Sequence, residues 1–86
     1  MRTSNETYNF YCSDALEQFV KVLETDEIVD PSKTKVVAKR DFVSDDDMEH
    51  EIDLEFRYTN GYDMSIAKVR AQTVADTINA IHVNDF

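Results

Sequence analysis

Hydrophobic and polar residues alternate most regularly between positions 48 and 58. One face of this segment carries Met48, His50, Ile52, Leu54, Phe56 and Tyr58. The opposite face carries Glu49, Glu51, Asp53, Glu55 and Arg57. A period of two with apolar residues on one face indicates a half-buried β-strand, here with an acidic outer face.

Weaker patterns predict four further elements. Residues 1–7 are polar and are predicted to fray, whereas residues 8–12 alternate and indicate a short strand. A helix is predicted from a cap at Ser13 or Asp14 to about Glu27, before Pro31, because apolar residues recur at helical spacing. Residues 35–43 alternate as a strand, and residues 70–82 carry a helical stripe formed by Ala71, Val74, Ala75, Ile78 and Ile81.

The register of the first hairpin follows from side-chain type. A five-residue loop over 43–47 brings apolar residues together in three pairs: Val36 with Leu54, Ala38 with Ile52, and Phe42 with Met48. The same register predicts two charged pairs, Lys35 with Glu55 and Lys39 with Glu51. A loop one residue shorter would place the apolar residues beside carboxylates.

The chain's single glycine predicts a second hairpin. A three-residue loop over 59–61 would use Gly61 in the left-handed conformation and pair residues 62–66, as a strand, with residues 54–58. The predicted fold is therefore one α+β domain over 1–86 in the order β-α-β-β-β-α. Its antiparallel meander sheet has two helices packed on one face.

Charge narrows the possible functions. The 86 residues include 18 acids and 9 bases, which gives a net charge of −9. Such acidity opposes direct binding to nucleic acid or to an anionic membrane, and no stretch reaches the roughly 20 apolar residues of a membrane span. The first residues lack the apolar run of a secretory signal, and a single cysteine fits a reducing compartment. A cytoplasmic location is therefore expected.

The predicted α-β-β-β-α order from Ser13 to His82 is similar to that of the double-stranded-RNA-binding domain, and residues 68–75 resemble the start of that family's last helix. That family places a Gly-Pro-x-His-type loop where this chain has Asp45, Asp46 and Asp47. Because these aspartates would repel phosphate, the resemblance implies a shared topology and no binding residue.

The candidate site is an acidic cluster between positions 41 and 55. It contains eight acids and no lysine or arginine: Asp41, Asp45, Asp46, Asp47, Glu49, Glu51, Asp53 and Glu55. Alternate strand residues lie ~6.7 Å apart, so the last four form a row whose spacing is of the same order as that of phosphates along a nucleic-acid strand. A solvated face partly neutralised by Lys35, Lys39 and Arg57 is the competing interpretation. Calcium binding is a weaker one, because His50 occupies the position of the loop's required glycine.

Catalytic chemistry finds little support in the sequence. Cys12 is expected to be a small buried hydrophobic residue, and His50 to be partly buried on the apolar face. A zinc site would need Cys12, His50 and His82 to converge without the usual ligand spacing. We therefore predict no enzyme, no metal and no cofactor.

These observations predict a small acidic binding protein that imitates nucleic-acid phosphate and thereby blocks a basic nucleic-acid-binding protein. Inhibitors of this kind are common among bacteriophage proteins, which suggests a phage source by analogy. The alternative is an ordinary interaction or structural domain that forms a homodimer and uses its charge for solubility.

Overall fold

A computed structural model describes residues 1–41 and 50–84. Its two helices and three strands follow one another as β1 (Arg2–Phe10), α1 (Ser13–Thr25), β2 (Thr34–Asp41), β3 (His50–Tyr58) and α2 (Gly61–Asn84). The strands form one antiparallel sheet in the order β1-β3-β2. The predicted α+β class, with an antiparallel sheet and two helices, is confirmed.

The first strand is longer than the sequence pattern predicted. β1 begins at Arg2, and its nine residues pair with all nine residues of β3, from Arg2 opposite Tyr58 to Phe10 opposite His50. The prediction that residues 1–7 fray was wrong, because the central strand supplies a hydrogen-bonding partner along their whole length. Polar residues suit this strand, since it lies at the edge of the sheet.

A β-bulge divides the predicted register of the first hairpin into a correct and an incorrect half. Lys35 lies opposite Glu55 and Val36 opposite Leu54, as predicted. The register then shifts between Val36 and Ala38, so that Lys39 lies opposite Ile52. The predicted pairs of Ala38 with Ile52 and of Lys39 with Glu51 were therefore wrong, because a bulge inserts one unpaired residue. The pair of Phe42 with Met48 lies outside the described residues.

The predicted strand over 62–66 is instead the first part of helix α2. Asn60 caps this helix, because its Oδ1 accepts the backbone N–H of Tyr62 at 2.8 Å. The backbone N–H of Met64 donates to the Asn60 carbonyl at 3.1 Å. The meander and the second hairpin were wrong because an asparagine before glycine can cap a helix as well as form a turn.

Both helices pack against the same face of the sheet, over β1 and β3. The Phe19 ring lies 4.9 Å from that of Phe10 and 5.3 Å from that of Tyr8, measured between centroids. α2 packs through small residues, and the predicted stripe is buried except for Ile81, which is 50% exposed. None of the helices within 1–41 and 50–84 is long and apolar enough to cross a membrane.

A polar side chain joins α2 to the end of β1 inside this core. Asn79 is 9% exposed, and its Nδ2 donates to the Asn9 carbonyl at 2.9 Å. Its Oδ1 accepts the backbone N–H of Tyr11 at 3.3 Å. The amide therefore satisfies the carbonyl of an edge-strand residue and an N–H that lies just after the strand.

Candidate functional site

The face of the sheet that the helices leave uncovered carries three of the predicted site residues. Glu51, Asp53 and Glu55 alternate along β3 with the buried residues Ile52 and Leu54. Because β3 is the central strand, their side chains have neighbours on both sides and are only partly exposed. We call this surface the outer face.

Arg40 binds two of these three carboxylates. Its Nη1 and Nη2 donate to the two carboxylate oxygens of Asp53 at 2.7 and 2.8 Å. Its Nε donates to Glu51 at 3.0 Å. A planar guanidinium holds a carboxylate most firmly in this two-point arrangement. Asp53, for which the predicted register offered no base, and Glu51, which was paired with Lys39, therefore both bind Arg40.

The protonation behaviour of Asp53 reflects this contact. The hydrogen bonds from Arg40, followed by one from the Thr7 hydroxyl at 2.7 Å, lower the pKa of Asp53 from 3.8 to about 2. The pKa of Arg40 is raised by Asp53 and then by Glu51. Asp53 is thus ionised at neutral pH and engaged by a neighbour on each flanking strand.

Arg40 reaches the outer face because of the bulge in β2. In unbroken alternation from Lys35, an even-numbered residue of this strand would point towards the helices. The register shift between Val36 and Ala38 reverses the two sets, so that Arg40 lies opposite Glu51. Lys39 moves to the other face, where its Nζ lies 3.3 Å from Glu17 of α1. Alternation alone could not reveal this arginine.

Charge on the described part of the outer face is balanced. Glu55 forms an ion pair with Arg57, and Lys35 is its Cα partner on β2. The row of three carboxylates is therefore accompanied by three cations: Lys35, Arg40 and Arg57. The competing interpretation of a neutralised face thus gains support for this part of the cluster.

Most of the excess negative charge belongs to residues 41–49. This segment has five acids and no base, whereas the other 77 residues hold 13 acids and 9 bases. Asp41 ends β2 and is the Cα partner of His50, the first residue of β3. The remaining predicted members of the site, Asp45, Asp46, Asp47 and Glu49, lie outside the described residues.

Helix α2 exposes a second apolar stripe that the sequence analysis missed. Tyr62, Ile66 and Val69 are 74%, 41% and 67% exposed, and they lie opposite the buried stripe of the same helix. Ile28, in the turn after α1, adjoins them across a shallow groove. Spacings of four and three residues could have indicated this stripe, because they are those of a helix–helix seam. Treating residues 62–66 as a strand concealed them.

Two of the three residues considered for zinc do converge. Cys12 precedes α1 and forms a hydrogen bond with His82 of α2. Cys12 is thus partly buried at a helix terminus and not, as predicted, within a strand. Within 1–41 and 50–84, no group of three or more His, Cys, Asp or Glu side chains is placed to hold a metal ion.

Comparison with known proteins finds no matching family model, no matching curated protein and no matching solved structure.

Proposed function

We propose that this protein is a non-enzymatic acidic inhibitor that binds a basic nucleic-acid-binding protein by imitating nucleic-acid phosphate. The observation that carries the proposal is the uneven distribution of charge. Five of the nine excess negative charges lie within residues 41–49. A concentrated charge of one sign steers an oppositely charged partner and favours one orientation of encounter.

The contacts of Arg40 change which residues we assign to the binding surface. Glu51 and Asp53 are already bound by Arg40, and Glu55 is bound by Arg57, so a partner would have to displace these contacts. Residues 41–49 have no base within their own sequence. We therefore assign the main contact to Asp41, Asp45, Asp46, Asp47 and Glu49, and a supporting role to the outer face.

Two variants with equal changes in charge test this assignment. One replaces Asp45, Asp46 and Asp47 by asparagine, and the other replaces Glu51, Asp53 and Glu55 by the corresponding amides. Each removes three of the 18 acids, so nonspecific attraction falls equally. Surface plasmon resonance against a panel of basic nucleic-acid-binding proteins should show lost binding for the first variant and retained binding for the second.

Salt provides the accompanying control. The Debye length shortens from about 30 Å at 0.01 M to about 8 Å at 0.15 M salt, so binding of the unmodified protein should weaken steeply over this range. Equal effects of the two variants would contradict the assignment to residues 41–49. Binding that no variant changes, or no binding to any basic protein at low salt, would contradict phosphate imitation.

By analogy with phage inhibitors, we extend the proposal to a phage-encoded protein that acts in the host cytoplasm. The presence of a single cysteine supports this setting, because such a chain cannot form an internal disulfide. Production of the protein in a bacterial host should then slow a process that depends on nucleic acid, and the triple-asparagine variant should not.

The exposed stripe of α2 favours a second candidate function, as a homodimer. Tyr62, Ile66 and Val69 follow the spacing of a helix–helix seam on a helix of 24 residues. A second copy supplies the same apolar stripe, and a two-fold axis near Ile66, the middle of the stripe, would pair the two stripes. Dimer formation and binding of a basic partner use different surfaces and are compatible.

Sedimentation velocity at two ionic strengths tests the dimer. Each chain carries a net charge of −9, so association should strengthen as salt screens the repulsion. Val69→Glu should give a monomer, whereas Thr77→Glu, with the same charge change on an exposed side chain of the same helix, should not. A monomer at both salt concentrations, at tens of micromolar protein, would remove the homodimer.

A further inference from the structure

Cys12, His82 and Gln18 form a connected chain of polar side chains at one end of the two helices. The Cys12 Sγ lies 3.5 Å from the Nδ1 atom of His82, although the two residues are 70 positions apart. The Nε2 atom of the same ring lies 3.0 Å from Oε1 of Gln18. A thiol, a base within hydrogen-bonding distance and a third group that orients the base make up the geometry of an activated nucleophile.

The contact with Gln18 determines the tautomer of the neutral His82 ring. An amide oxygen only accepts hydrogen bonds, so the neutral ring donates its proton from Nε2 to Gln18. The Nδ1 atom then accepts a hydrogen bond from the Cys12 thiol. His82 is thereby oriented to take up the thiol proton when the sulfur attacks an electrophile.

Cys12 and His82 both lie at helix termini. Cys12 is the N-cap residue of α1 and makes no side-chain cap, so its sulfur lies near the partly positive N-terminus of that helix. His82 lies in the last turn of α2. Asp14 adds a negative charge in the first turn of α1. His50, the Cα partner of both Phe10 and Asp41, lies at this end of the sheet.

We propose that Cys12 is a reactive thiol that exchanges with low-molecular-weight disulfides, with His82 as its base and Gln18 as the positioning residue. Cys12 is only partly buried, so a small reagent can reach the sulfur. Asp14 and the net charge of −9 favour cationic over anionic disulfides. This site is independent of the proposed acidic surface.

The proposed reaction is a thiol–disulfide exchange, in which one S–S bond forms as another breaks. The thiol proton moves to Nδ1 of His82 while the Cys12 sulfur attacks one sulfur of the disulfide R–S–S–R. A Cys12–S–S–R bond forms, the R–S–S–R bond breaks, and the departing thiolate takes the proton from His82 to leave as R–SH. Because the chain has no second cysteine, the mixed disulfide persists until an external thiol removes it. The site is therefore one of reversible modification.

The rate of adduct formation with cystamine, a cationic disulfide, tests the proposal when followed by mass spectrometry. Each variant is measured folded and in denaturant, so that the ratio of the two rates isolates the effect of the fold. For the unmodified protein we expect a ratio of about one hundred, the lower end of general-base assistance. His82→Gln should bring the ratio to about one, and oxidised glutathione, an anionic disulfide, should react more slowly than cystamine at low salt.

Variants at Gln18 test whether His82→Gln acts only by disturbing the fold. The Gln18 side chain is exposed, so its replacement should leave the packing of the core unchanged. Gln18→Glu places a carboxylate at Nε2, which stabilises the protonated ring and should raise the folded-state rate several-fold. Gln72→Glu introduces the same charge at an exposed position of α2 and should leave the rate unchanged. A ratio at or below one for the unmodified protein, or one that neither His82→Gln nor Gln18→Glu changes, would overturn the proposal.

Discussion

Replacing Asn79 should destabilise the fold more than replacing any exposed residue of α2. In Asn79→Ala, the Asn9 carbonyl and the Tyr11 N–H lose the partners that they have at 2.9 and 3.3 Å. Both hydrogen bonds are part-buried, and Asn9 and Tyr11 are not buried residues, so water partly replaces the lost partner and each bond contributes about 0.5 to 1.5 kcal/mol. We therefore expect a total loss of about 1 to 3 kcal/mol. That is a large share of the roughly 4 to 13 kcal/mol expected for a domain of this size.

Urea titration followed by circular dichroism measures this loss. With an m-value of about 1 to 1.5 kcal/mol/M, the midpoint should fall by roughly 0.7 to 3 M. Thr77→Ala is the matched control, because the Thr77 hydroxyl is exposed and donates only to the Thr73 carbonyl of its own helix. This control should change the free energy of unfolding by less than about 0.5 kcal/mol.

Asn79→Asp distinguishes the two hydrogen bonds. The introduced carboxyl keeps an acceptor for Tyr11, but in its ionised form it cannot donate to the Asn9 carbonyl. Protonation restores the donor, so the folded state raises the pKa of this carboxyl and binds its proton more tightly than the unfolded state. Stability relative to the unmodified protein is then lost as pH rises through that pKa and recovered as pH falls. A deficit that is independent of pH, or an Asn79→Ala variant as stable as the unmodified protein, would refute the reasoning.

Three further outcomes follow from the packing and the charges. Phe19→Ala removes a fully buried ring and should cost about 3 to 5 kcal/mol in the free energy of unfolding, measured by denaturant titration. Gly61→Ala should change the melting temperature little, because the three atoms nearest to a Cβ there all belong to the flexible side chain of Arg2, at 3.1 to 3.3 Å. A large fall in the melting temperature would instead indicate that Gly61 has the left-handed conformation that the predicted hairpin required. Hydrogen bonds from Arg40 are the main reason that the pKa of Asp53 is lowered to about 2. Ionised Asp53 therefore contributes fully to stability above about pH 4, and this contribution is lost as pH falls towards 2. Asp53→Asn should therefore flatten the decline of the melting temperature between these values, and an unchanged decline would show that other carboxylates dominate.

Sequence reasoning succeeded where side-chain type and period agreed. The alternation from Ile52 to Tyr58 identified the central strand and its buried face. Leu16, Phe19 and Leu23 likewise identified the buried stripe of α1. In both segments the apolar residues are large and their spacing fits a single period, so one conformation buries far more surface than the alternative. These two elements were sufficient to establish the α+β class.

The errors arose where two conformations bury similar amounts of apolar surface. Tyr62, Met64 and Ile66 alternate as a strand would, yet they also fit a helix that exposes two of the three. The decisive contribution comes from residues further along the chain. Ala67, Ala71 and Ala75 let α2 approach the core closely over 24 residues, and this packing extends the helix back to Gly61. The pattern of residues 62–66 alone does not include this packing, which involves the whole length of the helix.

The bulge in β2 shows why the candidate site was harder to predict than the fold. One inserted residue leaves the strand in place but reverses which side chains reach each face beyond it. It brought Arg40 beside Asp53 and Glu51, and it moved Lys39 to the helix side. The fold depends on where apolar surface is buried and tolerates such a shift, whereas the charge of a surface depends on every side chain that it displays. The bulge therefore decides which base accompanies Glu51 and Asp53, Arg40 in place of Lys39, while the described outer face carries three bases in either register.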